Sequence, residues 1–138
     1  LQQMYLHEGD VDWHWFESYL TYGNSVLPEA MLCAWISTGN ENYKNIAEES
    51  FKFLLSKIYI KNSIKVICNE KWLHKNDIHI KTIGGEQPID IAYTVLALNK
   101  FSRFFDDENY QEIMKNAFNW FLGKNHLHQI IYNPATGG

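Results

Sequence analysis

Glu86, Gln87 and Asp90 crowd around Pro88, directly behind Gly84-Gly85. Two carboxylates and a carboxamide at this spacing can hydrogen-bond hydroxyl groups or accept a proton from one, so the stretch could rim a polar pocket. Pro is favoured at the first helical position, where its missing N–H needs no partner. Gln87 is then the N-cap, and Asp90 lies in the first turn, against the positive end of the helix dipole. That end stabilises the ionised form. Glu86 and Asp90 therefore suit a base or a hydroxyl-binding carboxylate better than a general acid. The same residues also satisfy plain helix-start chemistry.

A third acidic candidate is Glu17. With Asp12 as a cap, residues 13–24 are expected to form a helix placing Trp13, Phe16, Glu17, Leu20 and Asn24 at spacings of three and four. A carboxylate inside an aromatic stripe either snorkels to the edge or is paired in a cleft, and desolvation there favours a proton donor. The histidines are less informative. His126 and His128 would share a face only in a strand, and His74 and His79 fall in an irregular stretch. No metal-ligand spacing results, so no metal or other cofactor is expected. Neither a Ser or Cys nucleophile elbow nor a phosphate-cradling glycine motif is present.

Composition narrows the classes. The chain has 138 residues, 46% of them hydrophobic, enough for one domain with a real core. A net charge of −4, with lysines scattered and not striped, argues against a nucleic-acid surface. No apolar run reaches the roughly 20 residues of a membrane span. No basic, apolar and small-residue leader is recognisable, and Cys33 and Cys68 sit in apolar surroundings, so a cytoplasmic protein with reduced thiols is expected. The chain opens on Leu1 and closes on Gly137-Gly138, as a piece of something longer would. Aromatic residues make up 15%, including five Trp and eight Tyr. Such rings serve equally as core and as sugar-stacking platforms.

The remaining elements follow from periodicity. Asn24 or Ser25 can cap a helix from Pro28 that ends at Thr38-Gly39-Asn40. A second should run from Glu41 to Leu55, burying Tyr43, Ile46, Ala47, Phe51, Leu54 and Leu55. Residues 56–87 break the rhythm, with Ile64–Cys68 extended and the rest a loop packed over one end through Ile67, Trp72 and Ile83. Connections this long in a compact domain are usually functional. Helices resume from Pro88 to Phe104, burying Ile89, Ala92, Tyr93, Leu96, Ala97 and Phe101. The last, capped by Asp106-Asp107, runs from Glu108 to Leu122 and stops at Gly123.

An internal repeat organises these pieces. Glu41-Asn42-Tyr43 aligns with Glu108-Asn109-Tyr110, and at the same 67-residue offset Ile46, Phe51, Leu55 and Lys57 meet Ile113, Phe118, Leu122 and Lys124. Each copy follows a Pro-led helix. The fold class is therefore all-α, built of helical hairpins, each an inner helix followed by an outer one, that bury their faces against neighbouring hairpins.

Trp13 to Asn24, Leu27-Pro28-Glu29-Ala30, Gly85 to Asp90, Asn119 to Asn125 and Tyr132 to Gly138 together resemble an (α/α)-toroid domain often fused behind bacterial glycosyltransferase domains. That domain is similar to the six-hairpin glycosidases and, more distantly, to N-acylglucosamine 2-epimerase-type barrels. The resemblance implies about two and a half hairpins of an (α/α)6 toroid. It also implies a carbohydrate partner and chemistry of the glycosidase type, which sets two carboxyl groups about 5–10 Å apart across a glycosidic bond. Inner-helix N-termini converge at one end of a toroid. Glu8, Asp10, Asp12 and Glu17 would come from the first segment, Glu86 and Asp90 from the second, with Glu17, Glu86 and Asp90 the catalytic candidates. Trp13, Trp15, Tyr19, Trp72 and Tyr132 would stack on sugar faces. Asp12, Asn69, Gln87 and Asn133 would supply further polar contacts, while Trp35, Phe51, Phe118 and Trp120 belong to the core. The expectation is sugar binding, without turnover by this stretch alone. The competing reading is a non-catalytic helical-repeat module that binds a partner or forms a homo-oligomer.

Overall fold

Two helical hairpins carry the chain: α2 (Val26–Thr38) with α3 (Glu41–Ile58), and α4 (Pro88–Phe104) with α5 (Asn109–Phe118). A short helix, α1 (Gln2–Glu8), precedes them and packs on α3. The structure is a computed structural model that describes residues 1–68, 70–77 and 84–137. Among these, the only strands are four of two residues each, paired as two antiparallel ribbons.

Local chemistry sets the hairpin corners. Gly39 takes φ +69° and returns its N–H to the Trp35 carbonyl, a left-handed cap that only glycine adopts without strain. Asn40 then accepts from the Asn42 N–H at 3.0 Å and opens α3. Asp107 does the same for Asn109 at the start of α5, also at 3.0 Å. The two Glu-Asn-Tyr copies thus open equivalent outer helices, as the repeat requires. Contacts between α2 and α4 join positions one repeat apart: Gly23 with Asp90, and Cys33 with Lys100. Ser25 and Thr94 meet between them. The inner helices therefore lie parallel and in register.

The core sits between the hairpins. Phe51 of α3 is fully buried with its ring centroid 4.1 Å from that of Phe101 on α4 and 5.8 Å from Tyr110 on α5. Leu32, Leu54, Ile91 and Leu98 close around them without exposure. Each such side chain contributes roughly 1.5–3 kcal/mol by leaving water.

Three expectations need correction. Residues 12–24 are not helical. Trp13, Trp15, Phe16 and Leu20 are all buried, and positions two apart cannot share one helical face. The segment instead enters the core irregularly, pinned by an Asp10–Trp13 bridge and by strand β1 (Tyr19–Leu20). Trp13 packs edge-on against Phe53 at 5.0 Å, and Trp15 lies tilted to the same ring at 6.3 Å. The helix near this end is α1. On α4 the buried side is Asp90, Ile91, Thr94, Ala97, Leu98 and Phe101, while Ile89 and Leu96 are half exposed. Apolar residues ring this helix nearly all round, so periodicity could not select the face. Phe118 is 54% exposed and not core, unlike its repeat counterpart Phe51.

The long connection holds more order than a loop. β2 (Tyr59–Ile60) and β3 (Ser63–Ile64) form a tight hairpin through Lys61 and Asn62, both at positive φ, as a two-residue turn of this twist demands. Val66, Ile67 and Cys68 follow, buried. Strand β4 (Leu73–His74) then pairs with β1. Of the residues expected to pack this connection down, Ile67 is buried, Trp72 is 43% exposed, and Ile83 lies outside the described residues.

Candidate functional site

The first turn of α4 meets the loop that enters α2. Gln87 is the N-cap in extended conformation, and its carbonyl accepts from the Asp90 N–H at 3.0 Å. Pro88 follows it as anticipated. Asp90 then turns inward, 6% exposed, and its Oδ1 accepts from the Gly23 N–H. Its Oδ2 is buried without a hydrogen-bond partner. Next to it the Thr94 hydroxyl lies 2.8 Å from the Ser25 hydroxyl and 2.8 Å from the Asp90 carbonyl. This is a small buried polar knot joining the two inner helices.

Glu86 faces the other way. Its side chain is 6% exposed and accepts from the Trp120 indole N–H at 3.0 Å, with His126 Nδ1 at 3.1 Å. It therefore ties the entry of α4 to the turn after α5. That turn is organised by Asn125, a buried amide donating to the Trp120 and Gln129 carbonyls and accepting from the Leu127 and Gln129 N–H groups. Sequence reasoning did not single out Asn125 as a site, and its fully satisfied bonds give it a structural role.

Glu17 stands apart from both. It lines a groove of about 470 Å³ with Gln3, His7, Phe16 and Tyr19. Its backbone carbonyl accepts from the Trp13 indole at 2.7 Å. Trp13 and Trp15, at 4% and 0% exposure, offer no face to a sugar. Tyr19 and Trp72 do: their rings stack at 5.2 Å and 24°, and Trp72 is 43% exposed. Behind them Lys75 binds Asp10 at 2.7 Å and the Glu8 carbonyl at 2.7 Å, and the Lys75 ammonium holds the Asp10 carboxyl below the usual range. Asp12 is exposed and contributes its N–H to a turn on Asp10. Tyr132 is half exposed, and Asn133 closes a turn on the Ala135 N–H. Asn69 lies outside the described residues.

No family model, curated protein or solved structure matches this chain.

The three carboxyls named as catalytic share no partner and no groove. Glu17 lines the α1 groove, Glu86 is held by two ring N–H positions, and Asp90 is sunk between the inner helices. Among the described residues, no group of three His, Cys, Asp or Glu is placed to hold a metal ion.

Asp90 departs from expectation in its chemistry as well. The helix dipole argues for a readily ionised acid, but burial pushes its carboxyl above the usual aspartate range, and the Gly23 N–H opposes this only in part. The folded state therefore holds a proton that the unfolded chain has released. Stability should fall as pH rises from the unfolded value of 3.8 through the raised folded one, and stay lower at neutral pH. Asp90→Asn keeps an acceptor for Gly23 and cannot ionise. It should lose this dependence. Urea midpoints measured between pH 3 and 7 (conditions spanning about the usual carboxylate range) would show the two curves diverging. Parallel curves would mean Asp90 titrates normally.

Proposed function

We propose that this chain is a carbohydrate-binding helical-hairpin domain, engaging its ligand on the Tyr19–Trp72 face beside Glu17. The observation that carries this reading is the stacked pair of half-buried Tyr19 and exposed Trp72, with Tyr19 and Glu17 lining one groove. Stacked aromatics accept the apolar face of a pyranose, and a neighbouring carboxylate accepts from its hydroxyls. The scattered carboxyls favour binding over turnover. Membership of an (α/α) toroid is our reading of the architecture, supported by the parallel, in-register inner helices and by α2, which is apolar on most sides as an inner helix would be. No helix among the described residues is long and apolar enough to cross a membrane. A reducing, cytoplasmic setting belongs to this reading, as suits a chain with only two cysteines, Cys33 and Cys68.

Titration with mono- and disaccharides, followed by tryptophan fluorescence, tests the proposal. A saturable quench is expected, weakened about tenfold or more by Trp72→Ala, equivalent to at least about 1.4 kcal/mol. A response that survives Trp72→Ala, or no response to any sugar, would sink it. The second reading, a self-associating module, is favoured by exposed Ile36, Leu96 and Phe104 along α2 and α4. Under that reading, solution mass rises with concentration and sugar changes nothing.

A further inference from the structure

The groove between α2 and α4 holds a cluster that sugar binding does not use. Glu29 and Cys33 sit one turn apart on α2, so both face the same way. Lys100 reaches them from α4, its Nζ 2.5 Å from Glu29 Oε1 and 3.3 Å from Cys33 Sγ. The three line an open groove of about 490 Å³ together with Asn99 and Arg103. Cys33 is only partly buried, so a small oxidant can reach its sulfur. Nothing in the packing demands a thiol beside an ammonium; a larger apolar residue would fill that position as well.

We propose that Cys33 and Lys100 form a peroxide-driven sulfur–nitrogen crosslink between the two inner helices. The sulfur attacks the peroxide O–O bond, is oxidised by two electrons to the sulfenic acid, and releases water. Sulfenic acids condense with nearby nitrogen nucleophiles. The Lys100 ammonium gives up a proton to solvent, and the resulting amine attacks the sulfenic sulfur. The S–N bond forms, the S–O bond breaks, and the hydroxide leaves as water. One thiol, one ammonium and one peroxide give the crosslink, two waters and a proton. Glu29 holds the Lys100 nitrogen at the sulfur but keeps it charged at rest, so attack waits on loss of a proton to solvent as well as on oxidation of the sulfur. The device does not depend on the sugar-binding reading, and its test does not touch Tyr19 or Trp72.

The whole chain is treated with hydrogen peroxide, alkylated, digested without reductant and mapped by mass. The expected product joins the Cys33 and Lys100 peptides with the loss of two hydrogens, and dithiothreitol reverses it. Lys100→Arg retains the cation facing Glu29, so the helices stay docked, but it should leave the sulfenic acid stranded. Dimedone labelling of Cys33 should then rise several-fold over the parent. Equal dimedone labelling of parent and variant would overturn the proposal. So would Cys33 oxidised in the parent with no link to Lys100, or still alkylatable after peroxide.

Discussion

Replacing Phe51 by Ala should lower the unfolding free energy by about 3–5 kcal/mol, the range for emptying a buried aromatic position. The ring is fully buried where α3, α4 and α5 meet, against Phe101 and Tyr110. Neighbouring rings on two other helices cannot both relax into the space, so most of the cavity should persist. A domain of this size has about 5–15 kcal/mol in total, so the loss would be a large share of it. Its repeat counterpart makes a sharp control. Phe118 is 54% exposed, and Phe118→Ala should cost less than about 1 kcal/mol. Urea unfolding should shift the midpoint strongly for the first variant and little for the second, with similar slopes. Comparable shifts would show that the two copies are buried alike and that the asymmetry described above is mistaken.

Gly84→Ala is the second large effect expected. Gly84 has φ +152°, a region that side-chain-bearing residues rarely enter, and holding one there costs about 1–3 kcal/mol. A Cβ would also stand 2.0 Å from Cys68 Sγ, well inside contact distance. Cys68 is buried and its sulfur accepts from the Glu70 N–H, so it cannot simply swing away. The variant should therefore lose more than the backbone term alone. Adding Cys68→Ala removes the colliding sulfur and should recover part of the loss, leaving the backbone part behind. A double-mutant cycle reads this coupling directly. If the two substitutions were simply additive, the close approach of Gly84 to Cys68 would be disproved.

The helical hairpins were legible because their signals are local. Gly39 stops α2, Asn40 and Asp107 start the outer helices, and Pro88 starts α4, each acting within a turn of its own position. The 67-residue repeat added the pairing of inner helices, which no single helix could reveal. What stayed hidden is non-local. Trp13, Phe16 and Leu20 gave helical spacings on paper, but Trp13 packs on Phe53, and Leu20 pairs with a strand more than fifty residues away. The site suffered likewise. Glu86 and Asp90 were adjacent in sequence and so were read as one pocket, yet Trp120 and His126 draw the first aside while Gly23 claims the second. Cys33, Lys100 and Glu29 passed unremarked because only the parallel docking of α2 on α4 brings them together.

The strapping of residues 13–20 onto later parts of the chain constrains its biosynthesis. Trp13 and Trp15 rest on Phe53, Tyr19 stacks on Trp72, and Lys75 clasps Asp10. A ribosome makes the chain in one direction at about 5–20 residues per second, so this aromatic stretch leaves the exit tunnel several seconds before its last partners exist. During that interval Trp13 and Trp15 lack Phe53, and Tyr19 lacks Trp72. The nascent chain is then at its most adhesive. Translation must run past Lys75 before residues 13–20 can settle.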